Sequence, residues 1–387
     1  MRRFLIFFAF GSAFAAAVTG GCLTALLSRA NELVLLDFDR LVRRDDVLWG
    51  PAFYQGGSYK LIRYRLTRPD ILVLGSSRVT QFRDFMAPTA RLYNASLAAT
   101  SLEEAQVFID AAFPRHKPTV LLLGIDPWWF SPQWAEHAPD LSLNRDLGEE
   151  GVNWRNIIAN ALAKAVDPHF LAALMARPLT ADSVGGRQPV GYMASYLASG
   201  FRPDGSRQYG EELIVRQPYF DQAGFGYANG FRYYRDKIRT NTDRFSYVGP
   251  LSNTGLAALR RLIRTCQAQG VEPVLFLPPF PHAVYQEIQQ SSTQRDYFAR
   301  LEAAVAAVAA EEGASSFNFH DLAELSVSDR QSIDDIHVDE IATAAAFLRM
   351  RETSPGLRRL VPDRDVAGLQ DRLNRPQTWA TPNILAP

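Results

Sequence analysis

The chain has 387 residues, 47% of them hydrophobic, which is enough to bury a large core in one big domain or two smaller ones. Lys plus Arg and Asp plus Glu each number 41, and no long run of one charge stands out, so nothing in the charge pattern points to nucleic acid. The two cysteines, Cys22 and Cys266, lie far apart in unlike surroundings. They predict no disulfide, no spacing suits a metal site, and no cofactor is expected.

Arg2 and Arg3 precede a stretch from Phe4 to Ser28 without a charged residue. As a helix it would run about 37 Å, enough to cross a hydrocarbon core about 30 Å thick. The leading arginines predict an inside N-terminus, so residues 1–29 read as a single-pass anchor of the cytoplasmic membrane with the rest extracytoplasmic, or periplasmic. The length favours this anchor over a cleavable signal peptide, for which Ala13 to Ala17 offers small residues. A lipoprotein signal before Cys22 fits less well, because Thr19 stands where a bulky aliphatic residue is expected. Residues 30–67 then read as a juxtamembrane stalk that packs onto the domain.

The main domain is predicted over 68–351. Ile71-Leu72-Val73-Leu74, Val120-Leu121-Leu122-Leu123 and Val274-Leu275-Phe276-Leu277 are short continuous apolar runs, the pattern of strands buried on both faces, with Ser315 to Phe319 a weaker fourth. Amphipathic helices lie between them: Leu256, Leu259, Ile263 and Cys266 share one face, as do Phe298, Leu301, Val305 and Val308. Ser101 and Glu104 form a capping-box start for a helix stopped by Pro114. This alternation predicts an α/β fold with a parallel sheet covered on both faces. An aromatic, Gly- and Asn-rich insertion covers about 128–250, with a turn at Pro203-Asp204-Gly205-Ser206. A Pro- and Arg-rich extension, 352–387, is expected to be loosely packed.

Gly75-Ser76-Ser77-Arg78 follows the first buried strand. A serine at such a turn is exposed at the carboxyl end of the sheet, where open α/β sheets bind ligands. Its hydroxyl needs a base within hydrogen-bond reach. Asp334-Asp335-Ile336-His337 follows the last strand, and an Asp three residues before a His can hold the imidazole through Nδ1–H and leave Nε2 for the serine proton. Asp335 is the substitute for Asp334. Each motif alone also fits a plain capping turn, but both leave carboxyl ends of predicted parallel strands.

Ser77 early and Asp-x-x-His late resemble the SGNH (GDSL-like) hydrolases, with Ser77 at the nucleophile position. The Gly-Ser-Ser form with an N-terminal anchor is similar to their envelope branch, which includes the D-alanyl-lipoteichoic acid biosynthesis D protein and the alginate O-acetylation proteins. Tyr93-Asn94-Ala95-Ser96-Leu97-Ala98-Ala99-Thr100 resembles the family's second block. The resemblance implies a three-layer, flavodoxin-like sandwich, a triad of Ser77, His337 and Asp334, and oxyanion or substrate contacts from Asn94, Ser96 and Ala99. It also implies an acylated glycan or lipid as substrate and a membrane-bound acyl-donor protein as partner.

The departures from that pattern are chemical. Ser96 and Ala99 replace two glycines, and Gly124-Ile125-Asp126-Pro127 stands for a third block Gly-x-Asn-Asp, with Asp126 in place of its amide donor. An ionised Asp donates nothing and Pro lacks an N–H. A slow esterase or acyltransferase follows, or a catalytically weak binding or assembly subunit of a polysaccharide-modifying complex. A third reading, a periplasmic ligand-binding protein, requires Ser77 and His337 to lie apart. Arg78 is placed to bind an anionic substrate group or to form a salt bridge. His282 is a loop residue or lines the site, His320-Asp321 reads as local capping, and Trp128, Trp129 and Trp134 stack on sugars or pack beneath the insertion.

Overall fold

The computed structural model describes residues 12, 17–28, 36–49, 56–132, 134, 158, 159, 162, 168, 172, 199–209, 227–246 and 249–374. Eight strands are described in chain order: β1 (Leu48–Trp49), β2 (Ile71–Gly75), β3 (Leu92–Ser96), β4 (Val120–Gly124), β5 (Ser199–Phe201), β6 (Arg207–Tyr209), β7 (Glu272–Leu277) and β8 (Ser315–Asn318). Five of them form one sheet in the order β3-β2-β4-β7-β8, with every neighbouring pair parallel. β2 therefore has its sequence successor on one side and β4 on the other. The connections leaving β2 and β4 part in opposite directions, and a crevice opens between their carboxyl ends.

The apolar runs are continuous because helices cover both faces. Leu72, Leu74, Leu121, Leu123 and Leu275 point into one core with the helices Gly56–Thr67, Leu102–Ala112, Asn253–Ala268 and Ser292–Glu311. Ile71, Val73, Val120, Leu122 and Val274 point into the other, against helix Glu340–Thr353. This is the expected α/β sandwich, with alternate side chains serving opposite layers.

Three expectations need correction. β3 was not foreseen as a strand, because Asn94 and Ser96 interrupt its apolar character although all five of its residues are buried. Residues 30–67 are more than a stalk, since helix Gly56–Thr67 puts Leu61 and Tyr64 into the main core. The tail is helical over Pro355–Leu360 and Asp363–Asn374, and it buries Leu357 and Leu369 in those helices and Val361 between them. Glu272 pins it, accepting from Ser354 Oγ at 2.5 Å and Gly356 N–H at 2.7 Å. Residues 375–387 lie outside the described residues.

Of the expected anchor, residues 12 and 17–28 are described, all helical. Among the described residues no helix is long and apolar enough to cross a membrane, and much of the expected span lies outside them. The described parts of the insertion pack on the domain. β5 and β6 join β1 in a small antiparallel sheet, and helix Arg232–Thr240 with its flanks buries Phe231, Ile238 and Phe245 in the main core.

Candidate active site

Two glycines let the serine loop form. A Cβ on Gly75 would stand 2.9 Å from the Gly124 carbonyl oxygen, and one on Gly124 would overlap Val79. Only bare backbone at both strand ends lets Val79 pack down and turn the chain. Beyond Gly75, Ser76 is extended and its hydroxyl accepts from Arg78 N–H at 3.2 Å. The turn of 3-10 helix Ser77–Val79 then sets Ser77 on the carboxyl rim of the sheet.

The second loop is organised by Asp334. Its Oδ1 accepts from the N–H groups of Ile336 and His337, both at 2.9 Å, and a bridge between Ser332 and Val338 closes the loop. Asp334 Oδ2 lies 2.7 Å from His337 Nδ1, and His337 Nε2 lies 2.7 Å from Ser77 Oγ. With Nδ1–H donating to the carboxylate, Nε2 carries the lone pair that accepts from the serine hydroxyl. Burial alone would push the Asp334 carboxyl up. Electrostatic attraction to the His337 ring, its hydrogen bond and the two backbone N–H groups outweigh burial and hold it below the ordinary value. The carboxylate thus stays ionised behind the imidazole.

Asp335 is not a second choice for that role. It is fully buried and accepts from Tyr234 N–H at 2.9 Å, tying the insertion helix to the Asp334–His337 loop. Arg78 is likewise turned into the protein, only 4% exposed. It donates to the carbonyls of Pro278 at 2.7 Å, Pro279 at 2.9 Å and Ile336 at 3.2 Å, and it pairs with Asp126 at 3.4 Å. Its guanidinium lies 3.8 Å from the Phe280 ring centroid. Of the two roles expected for Arg78, the salt bridge is the one formed, and a buried guanidinium cannot reach a substrate anion. Burial pushes the Asp126 carboxyl up, against the opposing pull of Arg78.

The expected second-block contacts separate into two kinds. Asn94 is buried and clamps the serine loop: its Nδ2 donates to Val79 O at 2.7 Å and Phe82 O at 2.9 Å, and its Oδ1 accepts from Ser96 N–H at 2.8 Å. Asn94 therefore holds structure and Ser96 N–H is already engaged, so neither faces a substrate. The N–H groups of Ser77 and Ala99 meet no protein acceptor among the described residues. Ala99 is itself fully buried, so Ser77 N–H is the oxyanion donor that the geometry offers first.

The other candidates are held elsewhere. His282 Nδ1 lies 2.8 Å from Asp321, which also caps the turn at Ala323, and His320 Nδ1 lies 2.6 Å from Glu302. His320 is buried, contrary to the simple capping expected of it, and burial lowers its pKa. Trp128 and Trp129 are buried, which excludes them as sugar platforms in this conformation; Trp134 is partly exposed and donates to Thr100 O at 3.3 Å. No group of three or more His, Cys, Asp or Glu side chains among the described residues is arranged to hold a metal. Sequence reasoning missed the ties of Arg78 and Asp335, since nothing local marks which distant backbone groups they meet.

Comparisons of this chain with protein-family models, with curated proteins and with solved structures give no match.

Proposed function

We propose that the protein is a serine esterase or O-acyltransferase acting on acyl esters, acetyl above all, of a cell-envelope polysaccharide or lipid. In this reading a single-pass N-terminal anchor holds it on the outer side of the cytoplasmic membrane. The observation that carries the catalytic part is the continuous relay Asp334–His337–Ser77, with both links at 2.7 Å. Ser77 Oγ attacks the ester carbonyl while His337 Nε2 takes its proton; His337 returns that proton to the departing alcohol. Water or a sugar hydroxyl, deprotonated by the same imidazole, then attacks the acyl carbon; the bond to Ser77 Oγ breaks and Ser77 takes the proton back from His337. The ligand-binding reading needed the hydroxyl and imidazole apart, and they are in contact.

Labelling with a fluorophosphonate probe tests this. Covalent modification at Ser77, lost in His337→Ala, is the expected result. Folded protein that stays unlabelled would overturn the reading.

One observation favours a second reading, a catalytically weak binding or assembly subunit. Asp126 stands where the resemblance leads to an amide donor, and Ser96 N–H is occupied, so few groups are left to stabilise an oxyanion. Equal polymer acylation by wild type and Ser77→Ala cells would support that role.

A further inference from the structure

At the amino ends of β2 and β4, the sheet edge opposite Ser77, lies a surface concavity of roughly 660 Å³. Arg43, Arg65, Arg68 and Arg115 line it together with Asp39 and Leu66. Arg65 donates to Ala111 O at 3.3 Å, but the side chains of Arg43, Arg68 and Arg115 make no hydrogen bond or ion pair among the described residues. Several arginines elsewhere are matched with acids: Arg83 and Arg202 share Glu340, Arg235 and Arg239 share Glu287, and Arg264 takes Glu312. In a chain with 41 basic and 41 acidic residues, four arginines facing one aspartate in one hollow is a local segregation of charge.

We propose that this hollow is a docking surface for the phosphate headgroups of an anionic phospholipid bilayer. Guanidinium groups match phosphate oxygens two at a time, and clustered arginines near a charged leaflet each add to the attraction. The surroundings fit an interface as well as an anion. Leu66 is 41% exposed inside the hollow, and Leu36 is 74% exposed just before Asp39 in the chain. Such apolar side chains beside cations suit the boundary between headgroups and acyl chains. Ile62, on the hollow's wall, also packs against the cluster that holds Leu27, at the foot of helix 17–28. The charge-free run Phe4 to Ser28 therefore leads to the border of the arginine surface. The bilayer as occupant rests on the anchor proposed above, but not on the catalytic reading.

The test uses the full chain in nanodiscs of phosphatidylcholine alone or mixed with phosphatidylglycerol. Arginines are modified with phenylglyoxal and read by mass spectrometry. Labelling of Arg43, Arg68 and Arg115 is expected to slow about fivefold each in anionic discs. The protection should vanish in about 0.5 M salt, while the exposed Arg330, in the loop preceding Asp334, labels equally in all discs. Equal labelling of the three arginines in both lipids overturns the proposal. So does equal protection by inorganic phosphate in neutral discs, which would make the hollow a small-anion site. A chain that does not enter the discs sinks the anchor instead. Labelling beside added phosphatidylglycerol vesicles then decides the hollow alone: protection supports it, and none overturns it.

Discussion

Arg78 Nε donates to the carbonyl oxygen of Ile336 at 3.2 Å, so the residue after the proposed nucleophile holds the residue before the proposed base. The same guanidinium grips the loop after β7 and the carboxylate after β4. Three strand-end loops are thus fixed to one side chain beneath the Ser77–His337 contact.

Arg78→Met leaves Asp126 buried without its cation, which costs about 3–5 kcal/mol. Arg78→Met combined with Asp126→Asn is expected to regain part of that stability but not the esterase activity, because the tie to Ile336 stays broken. Denaturant unfolding and hydrolysis of p-nitrophenyl acetate measure the two effects. An unchanged unfolding midpoint in Arg78→Met would show that the buried pair carries no such role.

Ser77→Ala and His337→Ala are each expected to lower kcat by at least about 10³-fold, and the double variant by little more than either, since the residues act as one unit. Losses that multiply in the double variant would mean that the two act separately.

The neighbouring aspartates separate by what each one touches. Asp334→Asn keeps the geometry but favours the wrong imidazole tautomer, lowering kcat by about 10⁴-fold, while it gives up only the modest stability that the ionised carboxylate contributes. Asp335→Ala leaves the Tyr234 N–H unpaired in the interior, a loss of about 1–3 kcal/mol, and frees the insertion helix. Thermal unfolding and turnover measured on both variants should therefore rank them in opposite orders.

Acid has a signed effect through Asp334. Its folded pKa lies below the ordinary value, so it contributes stability above the unfolded pKa, near pH 4, and loses that contribution as pH falls through the folded value. The stability difference between wild type and Asp334→Asn should be constant above about pH 5 and shrink below about pH 4. Burial pushes Asp126 and Asp339 the other way, so only the difference between the two proteins isolates this group. A difference that grows toward acid would contradict the ionised relay.

The insertion turn offers a fourth site. Gly205 has φ +82° and a Cβ there would overlap the Asn94 carbonyl, which together with the Gly205 carbonyl accepts from the buried Lys60 Nζ. Gly205→Ala should cost about 1–3 kcal/mol or more and loosen the β5–β6 hairpin from β3. Calorimetry checks the first effect and proteolysis near 203–206 the second.

By itself the sequence determined the α/β class, because unbroken apolar runs such as Ile71 to Leu74 can be buried only where both sheet faces are covered. It also determined the two loops, since Gly75 and the Asp334–His337 spacing are local requirements of a tight turn and of an imidazole held by its own loop. Tertiary structure alone decided that those loops touch. It also decided that Asn94 and Arg78 brace the site instead of binding substrate, that β3 is a buried strand despite Asn94 and Ser96, and that the tail is packed through Glu272. Each of these depends on partners remote in the chain, and the burial that commits a polar side chain to them is set by the folded layers.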